Sequence, residues 1–183
     1  SISKPRQSDI DGPAALNNNF TKVGSIGFPA SATVANTFNK GLAQRYGDLI
    51  GQMGREMHVT GFYAPAMNTH RTPFAGRNFE YFSEDPVLGG SMAAQQLKAA
   101  KAKGVYGVMK HFALNDQEDN RMNRLCTWSN EQSIREVYLR QFEMAAKDGG
   151  ATAVMSSFNY IGARWSASNP NLLNNVLRGE WGV

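Results

Sequence analysis

Residues 104–121 read GVYGVMKHFALNDQEDNR. Gly104 ends one helical pattern, VYGVMKHF follows as a short apolar run, and a polar stretch opens at its far end. Such a run, rich in Val and aromatic side chains and entered directly from a helix, is the buried strand of a parallel sheet. The same unit recurs on both sides of it. Upstream, Leu42, Tyr46, Leu49, Ile50, Met53 and Met57 fall at helical spacing behind Asn39, a good cap, and a short strand follows around Phe62 to Ala66. After the loop NTHRTPFAGRNFEYFSEDP (68–86), a helix from about Leu88 to Lys103 carries Leu88, Met92, Ala93, Leu97 and Ala100 on one face. Downstream, Ser129 and Gln132 form a capping box for a helix presenting Ile134, Val137, Tyr138, Phe142 and Ala145 up to Gly149. ATAVMSSF (151–158) is then the next strand, and Asn169-Pro170 open a fourth helix with Leu172, Leu173, Val176 and Leu177 facing inward.

Strands alternating with helices imply parallel pairing and an α/β class. Polar clusters recur just after the strands: HRTPFAGRNFE, KHFALNDQEDNR and SSFNYIG. Several strand ends contributing to one place is the behaviour of a barrel rather than of an open sheet. A complete eight-stranded barrel takes about 250 residues, whereas the 183 residues here hold three clear strands and a weak fourth near Ser31 to Ala35. The expected fold is therefore an incomplete TIM-type (β/α)8 barrel, one partial domain over 1–183, with the next strand due at Gly182-Val183 and the missing units beyond the ends. No linker, low-complexity stretch or repeat divides the chain.

Composition narrows the function. With 42% hydrophobic and 19% charged residues the chain is of globular type. Its net charge of +4 is spread without a basic run, so no nucleic-acid partner is expected. No apolar run approaches transmembrane length, so no membrane partner is expected either, and the opening SISKPRQSDIDGP lacks a signal-peptide pattern. The single Cys126 reads as a buried thiol and fits a reducing compartment such as the cytoplasm. His58, His70 and His111 are too scattered for a zinc site, and GxxxxGK, GxGxxG and GxSxG are absent, which removes nucleotide hydrolysis and the common serine hydrolases. No metal or organic cofactor is expected, and the oligomeric state is open.

The residues with chemistry to offer sit at the strand ends. Lys110 and His111 place a cation and an imidazole side by side. Taken alone, the economical readings are a solvated lysine and a hydrogen-bonded core histidine. Arg77, Glu80, Glu84 and Asp85 interleave with Phe79, Tyr81 and Phe82, a mixture suited to sugars, whose ring faces stack on aromatics while hydroxyls meet Arg and carboxylates. Structural salt bridges at Glu80 and Asp85 and core aromatics fit the same residues equally well. Asp11, before a Gly-Pro turn, is by itself only a turn signal.

Taken together and in order, DGP, GRNFEYFSEDP, KHFALNDQEDNR, AVMSSFNYIG and LRGEWG resemble the N-terminal domain of glycoside hydrolase family 3 over nearly the whole chain. The resemblance implies a retaining exo-acting β-glucosidase, in which an aspartate attacks the anomeric carbon and a glutamate of a following domain is the acid/base, about 5 Å apart across the scissile bond. The nucleophile is expected beyond Val183, so no catalytic residue is assigned within the chain and its own hydrolysis is expected to be negligible. The chain would instead supply most of the −1 subsite for a β-glucoside or oligosaccharide. By resemblance Asp11 accepts hydrogen bonds from the sugar, Arg77 and Lys110 bind hydroxyls and orient carboxylates, His111 holds the neighbouring hydroxyl, Arg121 lies near the nucleophile, and Met155 lines the wall.

Some positions depart from the family's pattern. Phe158 stands where relatives often carry tyrosine, so a hydroxyl beside the nucleophile is lost, and Asn17 stands near a common arginine. ALNDQ replaces the PGHGD of the hexosaminidase branch, which argues against an N-acetylglucosaminidase. A β-xylosidase or arabinosidase parent, a non-catalytic sugar-binding fragment, and an unfinished barrel that aggregates through open strand edges are the other readings.

Overall fold

The computed structural model describes residues 7–183. Residues 1–6, and with them the start of the opening read for a leader, lie outside the described residues. Four parallel strands form the sheet: β1 (Asp9–Asp11), β2 (Gly61–Tyr63), β3 (Tyr106–Phe112) and β4 (Ala153–Ser156). They lie in the order 1-2-3-4. Ile10 is in register with Phe62, Phe62 with Gly107, and Met109 with Val154. A doubly wound sheet would reverse its strand order somewhere. An unbroken order is the winding of a barrel.

The helices between the strands are α1 (Lys40–Glu56), α2 (Pro86–Ala102), α3 (131–147) and, after β4, α4 (Asn171–Glu180). Because every crossover runs the same way, successive helices lie side by side, α1 on α2 and α2 on α3. Small residues allow the approach: a Cβ at Gly47 would overlap the Gln96 backbone, and one at Gly90 would collide with Gln141 and Met144. The core between sheet and helices is filled by Ile50, Phe62, Met92, Leu97, Met109, Phe112 and Phe142.

Local signals place most boundaries. Asn39 caps α1, its side chain accepting from Leu42 N at 3.1 Å, and Asn169 accepts from Asn171 N and Leu172 N at 3.2 and 3.4 Å. Four expectations are corrected. The weak strand at Ser31–Ala35 is a single helical turn whose Ser31, Val34 and Ala35 share one buried side, an i, i+3, i+4 spacing. The fourth strand is instead β1, too short to stand out from the turn that follows it. The cap of α3 is Asn130, which accepts from Ser133 N at 2.8 Å, rather than Ser129. Asp85 makes no salt bridge among the described residues; it caps α2, accepting from Val87 N at 2.7 Å. Cys126 is exposed, on a two-residue strand of a small outer ribbon with Tyr160–Ile161 and Arg164–Trp165.

Within α3, Ile134–Leu139 wind as a π-helix, and so does the whole of α4. Apolar spacing gives no sign of it. Thr69 Oγ1 donates to the Val137 carbonyl there at 3.4 Å, tying the helix to the loop after β2.

Candidate functional site

Strand alternation selects which side chains point away from the helices. Met109 packs in the core, so Lys110 turns to the other face. Val154 and Ser156 border the helix side with Leu173 and Leu177, so Met155 between them faces inward. The loop after β2 is folded back over this end: His70 Nε2 lies 2.8 Å from the Asn78 carbonyl and 3.1 Å from that of Tyr81. A turn closed by Glu80 N to Arg77 O, 3.0 Å, brings those two side chains together.

The result is a chain of ions at the C-terminal ends of the strands. Lys110 Nζ is 2.8 Å from Glu80 Oε1, with both side chains 5% exposed. Arg77 Nε donates to Glu80 Oε2 at 2.7 Å, its Nη2 meets the same oxygen, and Nη1 lies 3.7 Å from Glu118 Oε1. Arg121 Nε completes the series 3.1 Å from Glu118 Oε2. Arg121 also lies over the Phe158 ring, 4.9 Å from its centroid, a cation–π contact. On the other flank Lys110 Nζ donates to the carbonyl of Gly12 at 3.4 Å, linking the cluster to the residue after Asp11. Three cations face two carboxylates.

Beside this row, His111 is buried under Tyr81. Its Nδ1 lies 3.2 Å from Tyr81 Oη and 3.3 Å from Asn68 Oδ1. Burial, then the Arg77, Lys110 and Arg121 charges, lower its pKa to about 2, so the ring is neutral. Burial also raises the Tyr81 phenol above its usual range. Asp116 is buried against Thr69, its Oδ1 accepting from Thr69 N at 3.3 Å and its Oδ2 unpaired. Burial, opposed by Arg71 and the Thr69 bond, raises its pKa to about 7.

Of the residues singled out from sequence, Arg77, Lys110 and Arg121 are linked through Glu80 and Glu118, Arg121 touches Phe158, and His111 adjoins them. Asp11 is exposed at the end of β1, one residue from the Gly12 carbonyl. Met155 is on the inward face. Glu84 is exposed outside the cluster, and of Phe79, Tyr81 and Phe82 only Phe79 is exposed, at 60%; Tyr81 and Phe82 are core. Sequence reasoning passed over Glu118, Asn68, Asn115 and the polar role of Tyr81. Glu118, three residues before Arg121, was visible as a pair, and a buried phenol calls for a partner. Among the described residues no group of three His, Cys, Asp or Glu could hold a metal, and no helix is long and apolar enough to cross a membrane.

A hollow of about 540 Å³ lies elsewhere, between α3 and α4 around Arg135, Leu172 and Glu180. It has no contact with the ionic row. The row itself offers amine and guanidinium donors, carboxylate acceptors and an aromatic face, a set that fits a polyol.

The profile of the glycosyl hydrolase family 3 N-terminal domain matches residues 16–183. The chain belongs to this family. A β-glucosidase from Ruminococcus albus is 39% identical over 94% of the chain, and β-glucosidase A from Butyrivibrio fibrisolvens is 35% identical over 99%. These matches span 18% and 22% of the relatives, so the family 3 segment here is about a fifth of their length. Among solved structures, β-glucosidase 3B from Thermotoga neapolitana in complex with α-D-glucose superposes with a TM-score of 0.92 at 42% identity, covering 97% of this chain and 26% of that one. A β-glucosidase from Streptomyces venezuelae, in complex with D-glucose, also gives 0.92, at 35% identity over 97% and 22%. The parallel sheet is thus a portion of the family 3 barrel domain.

Proposed function

We propose that the chain supplies most of the −1 subsite of a retaining exo-acting β-glucosidase that cleaves terminal β-D-glucosyl residues. The observation that carries this reading is the row Lys110–Glu80–Arg77–Glu118–Arg121 at the strand ends, buried at Lys110 and Glu80 and half-buried beyond, with one positive charge in excess. Arg77 and Lys110 donate to sugar hydroxyls while Glu80 holds both in place. Asp11, reached through Gly12, accepts from a hydroxyl at the opposite side, and Met155 and Phe158 give apolar contact. The surplus charge suits one more carboxylate: an aspartate nucleophile supplied from outside residues 1–183, with a glutamate of a further domain about 5 Å away across the bond. Displacement by the aspartate breaks the glycosidic bond as the glutamate protonates the departing aglycone oxygen, forming a glycosyl-enzyme ester; water, deprotonated by the same glutamate, then cleaves the ester and releases glucose with retention.

The chain alone has no route to that ester, so it binds without turnover. Calorimetric titration with glucose or gluconolactone is expected to show binding that Arg77→Ala weakens at least tenfold, since charged hydrogen bonds contribute about 1.5–3 kcal/mol. Extending the chain to include the nucleophile and the following domain is expected to give aryl-β-glucoside hydrolysis that an Asp→Asn change abolishes. Turnover by the 183-residue chain itself would overturn the assignment.

A further inference from the structure

The hydrogen bonds around His111 determine more than its position. Asn68 Oδ1 accepts from the His111 backbone N–H at 2.9 Å, while Asn68 Nδ2 donates to the His111 carbonyl at 2.9 Å. This pair of bonds fixes which end of the Asn68 amide is oxygen. The same oxygen lies 3.3 Å from Nδ1 of the ring. A bare Nδ1 would set two lone pairs against each other, so Nδ1 carries the proton.

The second contact agrees. Asn115 Nδ2 faces Glu118 Oε1 at 3.2 Å, and because a carboxylate there only accepts, the amide must present nitrogen. That nitrogen also donates to Tyr81 Oη at 3.1 Å, and Tyr81 donates its own proton to the Asn115 carbonyl at 3.3 Å. Tyr81 Oη therefore meets His111 Nδ1, 3.2 Å away, as an acceptor. Both partners ask for the same proton on the same nitrogen. Both polar contacts of the ring are made at Nδ1, which leaves Nε2 for a ligand.

We propose that Tyr81 and Asn68 are positioning residues that hold His111 in the Nδ1–H tautomer, so that Nε2 faces the site as a hydrogen-bond acceptor and the hydroxyl seated there must donate. The consequence for ligands rests on the sugar-subsite reading above; the tautomer does not. Lys110 and Arg77 can only donate, so a hydroxyl bridging from them to His111 is oriented in one direction, accepting from the cation and donating to the ring. Recognition at this position then requires a hydroxyl proton, which a fluorine cannot supply.

Three histidines make the test direct. In long-range ¹H–¹⁵N spectra of the ¹⁵N-labelled chain, the ring signal that survives both His58→Gln and His70→Gln belongs to His111. The expected pattern is one tautomer with protonated Nδ1 and bare Nε2, constant from pH 5 to 8. A protonated Nε2, or comparable amounts of both forms, would overturn the proposal. Tyr81→Phe, with its fold checked by the backbone amide spectrum, is expected to give a mixture; an unchanged tautomer removes Tyr81 from the role. Monodeoxy- and monofluoroglucoses supply the ligand arm: at one position fluorine and hydrogen are expected to cost the same, about tenfold in Kd. Fluorine binding like the hydroxyl at every position overturns the acceptor role. If glucose itself fails to bind while the tautomer is as stated, the subsite reading fails and the positioning of His111 stands.

Discussion

The two ends of the sheet use the same materials differently. At the N-terminal end Asp9 accepts from Tyr106 Oη at 2.6 Å and Thr60 Oγ1 at 3.1 Å, and Thr60 also bonds the Ser8 backbone. One carboxylate meets neutral donors, and both its oxygens are engaged. At the C-terminal end three cations share two carboxylates, and an imidazole turns one nitrogen outward. The lesson is that one carboxylate with both oxygens engaged by neutral donors ties strands together, whereas the upper row carries one positive charge that its own carboxylates do not balance. Burial and Asp9 push the Tyr106 phenol up to about 12, so the lower network keeps its proton across the working range.

The comparison breaks first at Glu80. Glu80→Ala leaves Lys110, 5% exposed, and Arg77, 20% exposed, without their shared counter-ion, and a loss of about 3–5 kcal/mol is expected in urea unfolding. A loss near zero would mean that the row is solvated and the contrast with the lower end is false. Asp116→Asn sharpens it through pH. Between about pH 4 and the raised value of about 7, the folded chain holds a proton that the unfolded chain releases, so stability falls as pH rises through that window. The amide is therefore expected to add about 2–4 kcal/mol at pH 8 and little at pH 4.

His111 works in the opposite direction. Its folded pKa lies near 2, below about 6.5 in the unfolded chain, so stability is lost as pH falls below about 6.5. With Asp116→Asn removing the opposing trend, melting curves should decline steadily from pH 7 to pH 4. The smallest effect belongs to the lower end. Asp9→Asn exchanges a charged acceptor for a neutral one, for an expected cost of about 1 kcal/mol with glucose affinity unchanged. A change in affinity there would couple the two ends.

Much of the fold could be read in one dimension. The strand–helix alternation around residues 104–121, the Asn39 and Asn169 caps and the inward faces of the helices follow from spacing and short-range hydrogen bonding. Ser31–Ala35 and β1 exchanged roles because a turn of helix and a three-residue strand are each shorter than the period that would distinguish them. The site was half legible. Arg77, Lys110 and His111 were marked by type and by their place after strands, and Asp11, Arg121, Met155 and Phe158 by resemblance.

Their relations were not legible. Glu80 read equally as salt bridge or ligand group, and the structure makes it the shared partner of two cations from different segments. Tyr81 read equally as a stacking or a core aromatic and is a buried phenol between His111 and Asn115. Sequence by itself determined the alternating units, the order of the strand-end clusters and the family, because these depend on residue type and spacing along the chain. Only the tertiary structure decided which charges meet, which aromatics are buried and which nitrogen of His111 bears the proton, because each depends on side chains that are tens of residues apart and become neighbours when parallel strands bring their ends together.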